Sequence, residues 1–116
     1  MSAMQRGILA IQTDPKPGHE DAFNAWYDES HVPAILRTEG FLMARRYRAV
    51  RPEGATSADW AGYLAVYDVV GADLRVAYEA LLERFRTGAI TDSEHVQVDP
   101  PYRSQLFEEI GRFSGR

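Results

Sequence analysis

The stretch FNAWYDESHVP, Phe23 to Pro33, decides how the rest of the chain is read. Phe23, Trp26, Tyr27, Ser30, His31 and Ala34 fall at the i, i+3, i+4, i+7, i+8, i+11 spacing of one helical face. Glu20, Asp21, Asp28 and Glu29 take the other faces, where water reaches them. The spacing predicts a helix from His19 with an imidazole on its buried stripe. Pro33 disfavours the α conformation at Val32, so the helix is expected to end or kink there. Pro33 also suits the first position of a short continuation to Arg37. Gly40 then supplies the stop.

Working outward, Ile8–Thr13 (ILAIQT) is a short apolar run rich in β-branched residues. It ends at the turn signal Asp14-Pro15-Lys16-Pro17-Gly18 and reads as the first strand. Phe41–Val50 (FLMARRYRAV) reads as the second. Strict alternation puts Phe41, Met43, Arg45 and Tyr47 on one face and Leu42, Ala44, Arg46 and Arg48 on the other. Arg51–Ala58 reads as a loop. A third strand lies within Trp60–Val70, with Tyr63, Ala65 and Tyr67 on one side and Leu64, Val66 and Asp68 on the other. Ala72–Phe85 reads as a second helix with the stripe Leu74, Ala77, Tyr78, Leu81, Leu82, Phe85 and a cap at Gly88. Residues 89–101 are irregular, closed by Pro100-Pro101, and Tyr102–Phe113 holds a fourth strand. The order βαββαβ predicts an α+β, ferredoxin-like domain: an antiparallel four-stranded sheet with both helices on one face. The uncovered sheet face calls for a partner, and a homodimer supplies it most simply.

The chain of 116 residues is read as one domain over 1–116. Its composition, 45% hydrophobic and 26% charged, is that of an ordinary globular protein. Without cysteine there is no disulfide framework and no thiolate chemistry. A net charge of −4 argues against a nucleic-acid partner, which needs a basic field. No stretch approaches the ~18 apolar residues of a membrane span. Met1–Gly7 shows no signal-peptide core, so the expectation is a cytoplasmic protein without membrane partners.

The segment FNAWYDESHVPAILRTEGFLMARRYRAV resembles the opening of EthD-like members of the dimeric α/β-barrel superfamily. The points of resemblance are Asn24-Ala25-Trp26-Tyr27, then His31-Val32-Pro33, Gly40-Phe41 and Arg46-Tyr47. YLAVYDV at Tyr63–Val69 is similar to the third strand of that family. Glu39 departs from its usual proline, and Thr87–Pro100 matches nothing in it. The resemblance implies a dimer whose two sheets close into a barrel, with a pocket in each subunit between its own sheet and its helices. It also implies a range of chemistries: cofactor-free monooxygenases, isomerases, polyketide cyclases, dehydratases and haem enzymes.

His31 is the sharpest candidate for catalysis. An imidazole titrates near neutral pH and can serve as general base or acid. Its structural counterpart is a core histidine bonded to a backbone carbonyl at the Pro33 break. Tyr27 is the second catalytic candidate, a phenol able to hold a developing oxyanion. Trp26 and Phe23 are expected to line an apolar pocket, with Tyr47 and Tyr67 on a shared aromatic face. Arg45 is expected to reach a carboxylate or phenolate of the substrate. Asn24 is expected to bond backbone near the first turn, and His19 and His95 to be surface residues. No metal-ligand spacing, phosphate loop or nucleophile elbow is visible, so neither metal nor cofactor is expected. The reading is a small-molecule enzyme moving a proton on an aromatic or polyketide-like substrate, by isomerisation, cyclisation, dehydration or oxygenation. The alternatives are a non-catalytic binding or auxiliary protein, and a haem protein with His31 as axial ligand.

Overall fold

A computed structural model describes residues 4–50, 62–98 and 102–115. Its elements are β1 (Gln5–Thr13), α1 (Glu20–Trp26), a π-helical turn (Tyr27–His31), α2 (Val32–Leu36), β2 (Phe41–Arg48), β3 (Tyr63–Gly71), α3 (Leu74–Arg86) and β4 (Arg103–Glu108). The strands form one antiparallel sheet in the order β2-β3-β1-β4, which is the expected ferredoxin-like arrangement. The loop read at Arg51–Ala58, Trp60 at the start of the third strand and the Pro100-Pro101 pair lie outside the described residues. Among the described residues no helix is long and apolar enough to cross a membrane.

Register decides which side chains meet the helices. Leu9 lies opposite Tyr67 on β3 and Leu106 on β4, and Ile11 lies opposite Ala65. Leu9, Tyr67, Ala65, Val69 and Phe41 are buried together with Phe23, Ile35 and Leu81 from the helical layer. Enclosing each large apolar side chain contributes about 1.5–3 kcal/mol. α3 lies across β3, β1 and β4, and α2 packs on β2. Leu74, Ala77 and Leu81 are the buried side of α3. Asp73 caps that helix by accepting from the Arg75 amide, so it starts at Leu74 rather than Ala72. Gly88, with φ 82°, follows its end.

The break expected at Pro33 does not occur; the helix widens instead. The Val32 amide donates to the Tyr27 carbonyl, five residues back, so Tyr27–His31 is a π-helical turn. Proline has no N–H to continue an α ladder, and its ring crowds the carbonyl four residues earlier. The extra residue resets the helical phase. Phe23, Tyr27, His31 and Ile35 are all buried, spaced every four residues. On a plain α-helix three such steps would drift by ~120°, and one inserted residue removes ~100°. This explains two departures from the α-helical reading: Ser30 is exposed, and Ile35 rather than Ala34 enters the core.

β2 also departs from strict alternation. Phe41 pairs with Val69 and Met43 with Asp68, leaving Leu42 as a bulge. Beyond the bulge Ala44 and Arg46 face the helices, whereas Met43, Arg45 and Tyr47 face away with Asp68. The turn before β2 depends on Gly40, whose φ is 91°. A Cβ there would stand 2.6 Å from the Val70 carbonyl oxygen.

Candidate functional site

A cavity of about 240 Å³ lies between the helical layer and the β1–β4 side of the sheet. The π turn contributes His31 and Tyr27, α1 contributes Trp26, and α3 contributes Tyr78, Leu81, Leu82 and Phe85. Leu9, Ile11, Thr13 and Ser104 form the sheet wall, and Asp92, Val96 and Tyr102 complete it. Tyr78 and Ser104 share a hydrogen bond of 3.2 Å across the wall. Among the described residues, Asp92 is the one carboxylate on the lining, and neither lysine nor arginine lines the cavity. The space suits a small, largely apolar molecule bearing a few hydroxyl or carbonyl groups.

His31 is 6% exposed. Its ring stacks on Trp26 at 4.3 Å between centroids and meets the Tyr27 ring edge-on at 5.3 Å. Phe85 lies 5.9 Å away. Nδ1 is enclosed with no hydrogen-bond partner, so the backbone-bonded core histidine of the structural reading is not what forms. Burial lowers the pKa of the ring from 6.5 to about 4, and the imidazole is neutral at pH 7.

The Tyr27 hydroxyl lies 3.3 Å from the Thr13 hydroxyl. Burial raises its pKa, more than the Thr13 bond and nearby Arg46 lower it, so it remains a protonated phenol. Behind it, Arg46 places its guanidinium 4.4 Å from the centre of the Tyr27 ring. Arg46 donates to Asp28 and Asn24, each at 2.8 Å. Asn24 therefore serves the arginine and, at 3.5 Å, the Tyr63 hydroxyl, not the backbone of the first turn.

Of the residues singled out from sequence, the fold brings His31, Tyr27 and Trp26 together at the cavity. Phe23 and Tyr67 are fully buried in the core and do not line it. The Tyr67 hydroxyl is enclosed without a partner, and burial raises its pKa. Arg45 and Tyr47 require correction. They stand exposed on the opposite sheet face, where Arg45 forms a two-pronged pair with Asp68 at 2.9 and 3.1 Å and bonds the Tyr47 hydroxyl at 3.1 Å. Tyr47 consequently does not share the face of Tyr63 and Tyr67. The Leu42 bulge is the cause, and Arg46 is the arginine on the helical side. His19 and His95 also meet, Nδ1 to Nδ1 at 3.0 Å, rather than standing apart on the surface.

Strand parity from Leu9 could have found Thr13, and the α3 stripe already held Tyr78. Asp92 and Tyr102 lie in a stretch with no readable period.

No family model and no curated protein matches the sequence. Solved structures do match the fold. An EthD-like protein from Ralstonia eutropha superposes with a TM-score of 0.59 at 11% identity, covering 97% of this chain and 98% of that one. HapK from Hahella chejuensis gives 0.53 at 16%, covering 97% and 96%. An ethyl tert-butyl ether D (EthD) family protein from Bacillus halodurans gives 0.51 at 14%, covering 91% and 99%. The resemblance read from Phe23 to Val50 and the architecture of the folded chain agree on the fold: this chain has the ferredoxin-like fold that these EthD proteins share.

Proposed function

We propose that this protein is a small-molecule enzyme that moves a proton on an uncharged aromatic or polyketide-like substrate without a cofactor. The observation that carries this reading is a buried, neutral imidazole on the wall of an apolar cavity edged with phenols. An imidazolium is costly at this depth, so a proton taken by His31 from a C–H or O–H beside a carbonyl is readily returned to another atom. Transfer of that kind serves isomerisation, cyclisation, dehydration and cofactor-free oxygenation. The Tyr27 phenol is placed to hydrogen-bond a developing oxyanion. The described lining, mostly apolar with hydroxyls from Thr13, Tyr27, Tyr78, Tyr102 and Ser104, suits a neutral ketone or phenol. The functional unit is a homodimer, with Leu42, Met43, Tyr47 and Phe107 of the open sheet face, each about half exposed or more, covered by a second copy.

The test is His31→Gln, which retains a hydrogen-bonding side chain but cannot shuttle a proton near pH 7. Turnover is measured across a panel of phenols, anthrones and β-diketones. The expected loss is roughly 10²–10⁴ in rate with the fold intact. Full activity in the folded variant removes the proton-transfer role. A second reading, a non-catalytic binding protein, draws on the weak basicity of His31. Saturable binding without turnover by the parent protein would establish it.

A further inference from the structure

Two of the chain's three histidines meet outside the cavity. His19 precedes α1, and His95 lies on the connection between α3 and β4. Their Nδ1 atoms are 3.0 Å apart and part-buried. The ring centroids are 5.3 Å apart, longer than the Nδ1 separation by about two ring radii. Each Nδ1 therefore points almost straight at the other. The planes are tilted by 48°, so the rings are not stacked. The arrangement is that of an in-line N–H···N hydrogen bond.

Such a bond needs a fixed number of protons between the rings. One Nδ1 must carry a proton and the other must offer its lone pair. Two neutral rings meet this requirement when one is protonated at Nδ1 and the other at Nε2. One imidazolium facing one neutral ring meets it as well, through a charge-assisted bond. Two imidazolium rings do not. Both Nδ1 atoms are then donors, and like charges face each other along the line of the former bond. Imidazole is the side chain that changes charge between pH 5 and 8. The segments meeting at the pair carry Asp14 and Lys16 on the turn after β1, Glu20 and Asp21 on α1, and Asp92 and Glu94 on the connection. Asp14 accepts from the Gly62 amide and Glu20 from the Tyr63 hydroxyl. Among the described residues no ion pair joins a carboxylate to either imidazole.

What the bond holds is part of the cavity wall. Lys16 donates its amide to the His95 carbonyl at 2.8 Å, and its carbonyl accepts from the His19 amide at 2.9 Å, so both histidines hang from one residue. Asp92 and Val96, on either side of His95, line the cavity. We propose that the His19–His95 pair is an acid-released latch. It ties the α3–β4 connection, and with it one wall of the cavity, to the start of α1 while at most one ring is charged. It lets go when both are. The latch is independent of the proton-transfer reading of His31.

The test is amide hydrogen exchange on the full chain at about pH 7.5 and about pH 5, each rate divided by its intrinsic rate at that pH. In the parent, the Lys16 and Gln97 amides should lose about five- to tenfold in protection at the lower pH, relative to amides between β1 and β3. That is the scale of one lost hydrogen bond. His19→Asn sets a side-chain amide near the place of Nδ1, able to turn and either donate to His95 or accept from it. Its Lys16 and Gln97 amides should show the same relative protection at both pH values. A parent without the loss overturns the latch. A loss that persists in His19→Asn also overturns it, since the source then lies elsewhere. Imidazole nitrogen NMR of the parent at about pH 7.5 gives a second check. One Nδ1 of the pair should carry a proton and the other should not, and two rings protonated only at Nε2 would reject the bond itself.

Discussion

His31 stays neutral because leaving water costs an imidazolium far more than an imidazole, and its enclosed Nδ1 has no hydrogen-bond partner among the described residues. In the folded chain its pKa falls from 6.5 to about 4. Between those values the unfolded chain binds a proton that the folded chain refuses, so acid favours unfolding. The stability is fully present above pH 6.5 and is lost as the pH drops towards 4. The separation corresponds to on the order of 3 kcal/mol. Denaturant titrations of the parent and of His31→Gln should therefore diverge with pH: the parent loses that much more stability than the variant between pH 7 and pH 4. Parallel curves would mean that burial does not govern the ring. The depth of His31 was legible from the helical period alone. Its lack of a partner was not, because that depends on what Trp26, Tyr27 and Phe85 place around it.

At the level of elements, the two errors of reading have one cause: a single residue inserted into a regular repeat. Leu42 flips the parity of β2 after Phe41, so the arginine beside Tyr27 is Arg46 and not Arg45. The π turn does the same to the helix, exchanging Ala34 for Ile35 in the core. Periodicity exposes the repeat but not the insertion, since each inserted residue is itself compatible with either register. Pro33 is the local cause that can be tested. In Pro33→Ala the restored N–H lets residue 33 bond the Glu29 carbonyl, and a plain α ladder becomes available. Phe23 and Ile35 then lie ~120° apart, so Phe23, His31 and Ile35 cannot all face inward. We expect the variant to remain folded while the His31 ring titrates closer to 6.5 than to 4 in an NMR pH series. A ring that still titrates near 4 would show that core packing holds the π turn without the proline.

On the scale of the whole molecule, the first two thirds of the chain announced their architecture, and the connection from α3 to β4 did not. That connection has no period because side-chain burial on a regular element is not what fixes it. It is tied down by backbone bonds to a distant turn: Lys16 donates to His95 and Gln97 donates to Asp14, each at 2.8 Å, around an antiparallel bridge of Pro15 with Val96. The ties matter for the site, since Asp92 and Val96 from this connection form part of the cavity wall. A further tie is the pair of imidazoles, with His95 Nδ1 lying 3.0 Å from the same atom of His19 at the start of α1. Removing it isolates its contribution, because Ile90 and Val96 stay in the core and hold the ends of the segment. In His95→Ala we expect the Lys16 and Gln97 amides to exchange with deuterium about tenfold faster, a local opening of about 1.4 kcal/mol, while amides between β1 and β3 are unchanged. Faster exchange throughout the sheet would make His95 a determinant of global stability instead. Unchanged exchange at Lys16 and Gln97 would mean that the backbone bonds and the burial of Ile90 and Val96 hold the wall without the imidazole pair.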